Sequence, residues 1–149
     1  MQTIIIPKED AVFWMDGNGR WHNQHGEFEH KKVIAYFNRS IGHDVDGYFV
    51  SQERGDVVEK VYFRHQETAI FVVDVLTDND TSLLLNTGEP MVLEPEKLLV
   101  KNDSLFIRKE KELAKFNDRS MMKLSHRFEE IDGQFQIRLN GKRYPISMG

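Results

Sequence analysis

Apolar positions in the first third of the chain change from strand spacing to helix spacing. Residues 12–15 and 20–22 are short aromatic segments on either side of an Asp-Gly-Asn-Gly sequence, which is typical of a β-hairpin turn. Across residues 28–41, apolar side chains recur every three or four positions and predict an amphipathic helix. Gly42 follows the last of them and is predicted to cap this helix in a left-handed conformation.

The middle of the chain predicts a succession of strands joined by short turns. Residues 48–50, 57–64 and 69–76 are rich in β-branched and aromatic side chains, and the last run is apolar enough for a central strand buried on both faces. The polar residues 77–81 predict a loop. Further strands are predicted at residues 82–86, 91–93, 98–100 and 105–108. These short connections favour an antiparallel meander.

The last third is predicted to combine a helical region with a final hairpin. Apolar residues recur at helical spacing across residues 109–128, and the Asn-Asp pair at 117–118 supplies a candidate N-cap inside that region. Residues 134–139 and 142–146 are predicted strands on either side of the Asn-Gly pair at 140–141. That pair is a strong signal for a two-residue hairpin turn.

One pattern occurs twice in the chain, 86 residues apart. Residues 45–49 (Val-Asp-Gly-Tyr-Phe) correspond to residues 131–135 (Ile-Asp-Gly-Gln-Phe), and Gly55 corresponds to Gly141. In both places a strand and an apolar helix precede the Asp-Gly turn. Since hairpins in general use Asp-Gly, chance similarity is an alternative, but the shared order of elements favours a duplication.

The duplication predicts an α+β fold made from two similar, antiparallel β-rich subdomains that each carry a helix. The N-terminal subdomain is predicted over residues 1–76, as a β-helix-β unit with connecting strands. The C-terminal subdomain is predicted over residues 77–149, as a β-rich unit with a helix and the terminal hairpin. A chain of 149 residues is long enough for this arrangement.

Composition narrows the class of protein further. The absence of cysteine excludes a disulfide framework and thiolate-bound zinc, and it fits a reducing cytoplasm. The chain begins without the basic segment and long apolar stretch of a signal peptide. No window approaches the roughly 18 apolar residues of a membrane span. The expected location is cytoplasmic, with no membrane association.

Charge is distributed unevenly along the chain. Residues 1–100 carry nine basic and seventeen acidic side chains, whereas residues 101–149 carry eleven basic and seven acidic ones. The basic C-terminal third is expected either to meet an anionic ligand or to pair with the acidic first part. The net charge of −4 does not favour general nucleic-acid binding.

Several short signatures follow one another along the chain: Asp-Gly pairs at 16–17 and 46–47, a Glu-Lys pair at 59–60 and an Asn-x-Gly-acid segment at 86–89. Two arginines complete the pattern: Arg108 ends a strand, and Arg119 lies in the helical region that follows. The order of these signatures resembles a proteobacterial family known as domain of unknown function 1285.

The resemblance implies a duplicated core whose C-terminal half is superficially similar to a pleckstrin-homology domain. It also implies a ligand site between the halves and a link to nucleotide-based signalling. Arginine holds phosphate through paired N–H donors, and an aromatic ring stacks on a base. The candidate ligand-binding residues are Trp21, Tyr48, Glu59, Asn86, Arg108 and Arg119.

Each candidate also has a purely structural interpretation. Trp21 suits a hydrophobic core, and Arg108 suits an ion pair with an acid such as Glu59. Asn86 suits the cap of a turn. The sequence leaves these alternatives open.

Patterns that carry catalytic or metal chemistry are sparse. His22, His25 and His30 are close in sequence but lack a supporting carboxylate motif, so surface histidines are favoured over a metal site. The chain has neither a thiol nucleophile nor a Gly-x-Ser-x-Gly elbow. The sequence therefore predicts no catalytic residue and no cofactor.

The favoured function is recognition of a small anionic, nucleotide-like ligand, with a consequence for signalling. One alternative is a protein-interaction module, including a homodimer, that uses an exposed strand edge or aromatic patch. An uncharacterised hydrolase is a third possibility.

Overall fold

The computed structural model describes residues 2–76 and 82–149. Its chain forms two compact units, Met1–Ala69 and Ile70–Gly149. Each unit contains one α-helix and a majority of strands, so the predicted α+β class is confirmed. Neither helix in the described ranges has the length and apolar composition needed to cross a lipid bilayer.

The boundary between the units lies seven residues before the predicted end of the first subdomain. The strand Phe71–Leu76 explains this difference, because both of its neighbours in the sheet belong to the second unit. The predicted loop at 77–81 lies outside the described residues.

The first unit contains two sheets and one helix. Its elements are β1 (Gln2–Ile6), β2 (Phe13–Met15), β3 (Trp21–Asn23), β4 (Gly26–Glu27), α1 (Lys31–Arg39), β5 (Ile41–Asp44), β6 (Gly47–Arg54) and β7 (Val57–Tyr62). The predicted hairpin is confirmed: β2, β3 and β4 form an antiparallel sheet. The second sheet has the order β1-β7-β6-β5, and in it β1 runs parallel to β7.

Helix α1 is shorter than predicted, because the chain leaves the helical conformation at Ser40 and enters strand β5. Gly42 lies inside that strand, directly opposite Phe49, so the predicted helix cap at Gly42 is wrong. A Cβ at position 42 would lie 2.5 Å from the Phe49 ring. The glycine therefore allows an aromatic ring to cover the backbone, which apolar periodicity does not reveal.

The second unit contains a large sheet, a small sheet and one helix. Its elements are β8 (Phe71–Leu76), β9 (Ser82–Leu85), β10 (Pro90–Val92), β11 (Leu98–Lys101), β12 (Ser104–Lys109), β13 (Glu112–Phe116), α2 (Asp118–Leu124), β14 (Phe128–Ile131), β15 (Gln134–Leu139), β16 (Lys142–Pro145) and β17 (Ser147–Met148). The large sheet has the order β10-β9-β8-β13-β12-β11-β17, and the small sheet has the order β14-β15-β16. Most neighbours are antiparallel, as predicted, but β13 pairs with β8 and β17 pairs with β11 in parallel.

The helical region predicted across residues 109–128 is wrong in its first half. Strand β13 forms there, with Ala114 and Phe116 buried on one face, and its hydrogen bonds to β12 and β8 satisfy the backbone. The second half is helical, and the predicted cap is confirmed. The side chain of Asn117 accepts a hydrogen bond from the Ser120 backbone N–H at 2.9 Å.

The repeated order of elements predicted from the sequence is confirmed. The series β2-β3-β4-α1-β5-β6-β7 in the first unit corresponds to β11-β12-β13-α2-β14-β15-β16 in the second. Asp46 and Asp132 lie in equivalent turns, before β6 and β15. Gly55 and Gly141 follow those strands with φ of 61° and 78°. Both glycines occupy the left-handed region that such hairpin turns require.

Candidate functional site

Trp21 is a core residue of the first unit, since only 1% of its surface is exposed. Its ring meets Phe63 and Phe37 edge-on, with centroid distances of 4.8 and 5.3 Å. The indole Nε1 donates to Asn38 Oδ1 at 2.7 Å, which satisfies the one polar atom of the buried ring. The structure thus favours the packing interpretation of Trp21 over base stacking.

Tyr48 is also buried, within an aromatic cluster of the first unit. The His43 imidazole stacks on its ring at a centroid distance of 4.0 Å, and the His65 ring meets it edge-on at 5.0 Å. The Tyr48 hydroxyl shares a hydrogen bond with Thr68 Oγ1 at 3.2 Å. Burial lowers the pKa of His65, although a hydrogen bond to the Gln66 carbonyl oxygen opposes this shift.

Glu59 lies on β7 and pairs with a basic residue of the neighbouring strand. Its Oε1 is 3.2 Å from Arg54 Nε. Glu59, which the sequence suggested as a partner for Arg108, is therefore paired with Arg54 of β6.

A polar cluster on the same sheet joins Asp44, Lys60 and Tyr62. Asp44 Oδ2 accepts hydrogen bonds from Lys60 Nζ at 2.5 Å and from the Tyr62 hydroxyl at 2.8 Å, and Lys60 Nζ lies 4.3 Å above the Phe49 ring centre. The bond from Lys60 lowers the pKa of Asp44 to about 2. The bond to Asp44 raises the pKa of Lys60, and burial raises that of Tyr62. Lys60 and Tyr62 therefore both stay protonated. A general base must accept a proton, so neither side chain suits that role.

Asn86 extends the pairing of β8 and β9 beyond the last residue of β9. Its Oδ1 accepts from the Phe71 backbone N–H at 3.0 Å, and its own backbone N–H donates to the Phe71 carbonyl oxygen at 2.8 Å. The side chain acts as a backbone acceptor would, in agreement with the turn-capping alternative.

The two arginines of the family pattern lie on different elements of the second unit. Arg108 is exposed on β12, opposite Leu113. Arg119 is on α2, where its Nη2 is 3.6 Å from Asp74 Oδ2, beyond hydrogen-bond range. Lys123 Nζ holds the other oxygen of Asp74 at 2.5 Å and lowers the pKa of that carboxyl. The side chain of Arg119 is 68% exposed, and its role in binding an anion stays a prediction.

Three of the six predicted residues lie in each compact unit. Their convergence on one ligand therefore stays a prediction. The histidines singled out in the sequence have local roles: His22 Nε2 is 2.7 Å from Asp16 Oδ2, and the His30 side chain caps α1. Residues 2–76 and 82–149 contain no group of three metal-binding side chains.

Several arginine side chains cluster on the outward side of the small sheet. The sequence-based predictions did not include this cluster. We call this side the arginine face, and its members are Glu129, Gln136, Arg138 and Arg143, with Arg127 at its border. Ile137 and Leu139 point into the core from the same strand β15, which turns Arg138 outward.

One carboxylate binds two guanidinium groups on this face. Glu129 Oε1 accepts from Arg138 Nη1 at 2.8 Å, and Glu129 Oε2 accepts from Arg143 Nε at 2.9 Å. Arg127 Nη1 donates to the Arg138 carbonyl oxygen at 3.4 Å. The side chains of Arg138 and Arg143 are 46% and 57% exposed. Arg138 and Arg143 thus share the carboxylate of Glu129.

A signal for the pair of Arg138 and Arg143 exists in the sequence. A two-residue turn at Asn140-Gly141 sets the register of the hairpin, and counting outward from it places position 138 opposite position 143. The position of Glu129 on the same face depends on how β14 joins the sheet, which local spacing does not determine.

No family model matches the chain, and no curated protein matches it. Two solved structures are similar in fold. A DUF1285 family protein from Silicibacter pomeroyi DSS-3 is 16% identical and superposes with a TM-score of 0.63, covering 98% of this chain and 84% of that one. A DUF1285 family protein from Shewanella baltica OS155 is 15% identical with a TM-score of 0.52, covering 74% of this chain and 87% of that one. The predicted resemblance is confirmed at the level of the fold.

Proposed function

We propose that this protein binds a small phosphate-bearing ligand on the arginine face, and that binding rather than catalysis is its contribution to signalling. The observation that carries the proposal is the convergence of Arg138 and Arg143 on Glu129, with Arg127 beside them. Two guanidinium groups that share one carboxylate favour an anion there, in agreement with the basic composition of residues 101–149.

The chemistry of guanidinium supports this choice of ligand. Each guanidinium has five N–H donors in a planar fork, and one donor of Arg138 and one of Arg143 are directed at Glu129. In general, paired N–H donors of a guanidinium match the spacing of phosphate oxygens. Because both side chains are about half exposed, a ligand reaches them without opening the fold.

In this proposal the protein recognises the phosphate groups of the ligand and not a base. Trp21 and Tyr48, the aromatic residues predicted to stack a base, are both buried. Affinity is therefore expected to follow the number of phosphate groups more than the identity of the organic part.

Isothermal titration with pyrophosphate, ADP and adenosine tests the proposal. Pyrophosphate and ADP are expected to bind with similar affinity, and adenosine is expected not to bind. Replacing Arg143 with glutamine should weaken pyrophosphate binding about 10- to 100-fold, because a hydrogen bond to a charged group contributes roughly 1.5–3 kcal/mol.

Arg54→Gln is the matched control, since Arg54 is another exposed arginine paired with one glutamate, in the first unit. It makes the same change in net charge and should leave pyrophosphate affinity within about twofold. If Arg119→Gln abolishes binding and Arg143→Gln does not, the site is at Asp74 and α2. If pyrophosphate does not bind the wild-type protein at millimolar concentration, the proposal is wrong.

A further inference from the structure

A groove of about 840 Å³ opens in the second unit beside strands β11, β12, β14, β15 and β17. Its apolar lining includes Leu105 and Ile146, which are buried, and Phe135, which is partly exposed. The volume lies within the roughly 300–1,000 Å³ of protein ligand sites. The groove lining contains neither Arg138 nor Arg143, so this surface is separate from the arginine face.

Acidic side chains line the groove together with these apolar residues. Asp103 belongs to the turn between β11 and β12, and Asp132 belongs to the turn between β14 and β15. Glu130, on β14, is the third. None of these carboxylates has a hydrogen bond or ion pair within the described chain, and the lining contains no lysine, arginine or histidine. The groove is therefore complementary in charge to a cationic occupant.

One side of the groove is the edge of a sheet. Strand β17 is the last strand of the large sheet, and its two consecutive residues, Ser147 and Met148, both line the groove. Because successive side chains of a strand point to opposite faces, we infer from these two neighbours that the groove runs along the edge of β17. Met148 is 73% exposed, which leaves an apolar side chain beside this edge.

We propose that this groove binds an extended peptide segment in which lysine or arginine side chains alternate with apolar ones. The peptide backbone pairs with the edge of β17, as in other cases where a strand is added to a sheet. Its apolar side chains cover Leu105, Phe135 and Met148, and its basic side chains meet the carboxylates. This binding activity goes beyond the phosphate-binding role and uses a different surface.

Fluorescence anisotropy with a labelled Lys-Val-Lys-Ile-Lys peptide tests the proposal on the full chain. The basic peptide should bind, and a Glu-Val-Glu-Ile-Glu peptide should not. In a triple variant, Asp103→Asn, Glu130→Gln and Asp132→Asn, affinity should fall at least tenfold. Asparagine tolerates the positive φ of 60° and 53° at positions 103 and 132, so these substitutions preserve the turns.

A second triple variant controls for the change in net charge. Glu9→Gln, Glu53→Gln and Glu96→Gln remove three exposed carboxylates that lie outside the groove. This control should retain affinity within about twofold. Equal losses in the two triple variants would mean that net charge alone attracts the peptide, and the proposal would be overturned.

Two further probes separate a peptide from a small amine. Spermidine carries positive charge without an amide backbone, and a peptide methylated on alternate backbone nitrogens cannot donate to a strand edge. Competition by the unmodified peptide but not by either probe supports the proposal. Displacement of the labelled peptide by spermidine at equal concentration, or undiminished affinity after methylation, would overturn it.

Discussion

Arg138 lies directly opposite Arg143 across strands β15 and β16, although both side chains are positively charged. Like charges in directly opposed positions destabilise a sheet. Glu129 offsets this repulsion, because each of its carboxylate oxygens accepts a hydrogen bond from one of the two guanidinium groups. Glu129 stabilises the small sheet and also occupies donors that an added anion would need. The stability of the sheet is therefore coupled to its affinity for anions.

Glu129→Gln should therefore have two opposite effects. The free energy of unfolding should fall by about 1 kcal/mol at low ionic strength, and by less in 1 M NaCl, because exposed ion pairs are screened by salt. Pyrophosphate should bind more tightly, because the competing carboxylate is gone. Urea unfolding at two salt concentrations measures the first effect, and isothermal titration measures the second.

Glu130→Gln is the control for this pair of measurements, since it removes the same charge from the neighbouring residue of β14. It should change neither quantity appreciably. Loss of stability in Glu129→Gln without tighter pyrophosphate binding would indicate that the arginine face is a structural ion-pair network alone.

The carboxyl group of Asp44 should make stability depend on pH in the acid range. Its pKa is about 2 in the folded protein, below the ordinary value of 3.8, because Lys60 donates to it. Folding therefore favours the ionised form. The resulting stabilisation is complete above about pH 4 and is lost as the pH falls toward 2.

Comparison of the wild type with Asp44→Asn checks this expectation. The difference in their free energy of unfolding should be constant at neutral pH and should narrow between about pH 4 and pH 2. Urea unfolding monitored by circular dichroism across this range measures it. A difference that stays constant down to pH 2 would contradict the assigned role of the ion pair.

Gly42→Ala should destabilise the first unit by about 1–3 kcal/mol, because the added methyl group meets the Phe49 ring. The same substitution in a Phe49→Leu background should cost less, since leucine leaves more room above the strand. A double-mutant cycle of unfolding free energies gives the coupling between the two positions. Equal costs in both backgrounds would mean that the close approach of ring and backbone is not the reason for glycine.

Trp21→Phe should lower the free energy of unfolding by about 2 kcal/mol. The substitution leaves a void in the aromatic core and removes the donor to Asn38 Oδ1. Trp14→Phe makes the same change at an exposed ring and should cost less than about 1 kcal/mol. Urea unfolding measures both effects. Similar stability of the two variants would mean that Trp21 is not needed for packing, and Trp21 would again be a candidate ligand-binding residue.

Local sequence patterns predicted most strands, both hairpin turns and the repeated order of elements. Those features depend on side-chain alternation and on residues that tolerate positive φ, such as Gly55 and Gly141. The same patterns failed at residues 112–116, where Leu113 and Phe116 fit a helix as well as a strand. Hydrogen bonds to β12, the preceding strand, and to β8, which is distant in sequence, decided between helix and strand.

The candidate sites also depend in part on local sequence and in part on tertiary structure. Residue types alone pointed to arginine and phosphate, and the family resemblance directed attention to Arg108 and Arg119. Only the tertiary structure places Glu129 beside Arg138 and Arg143. The acidic groove likewise forms only where hairpin turns and a sheet edge lie next to each other. The sequence by itself determined most of the elements and the charges that they carry. The tertiary structure decided which of those charges meet, because strand pairing and packing join residues that local spacing leaves unrelated.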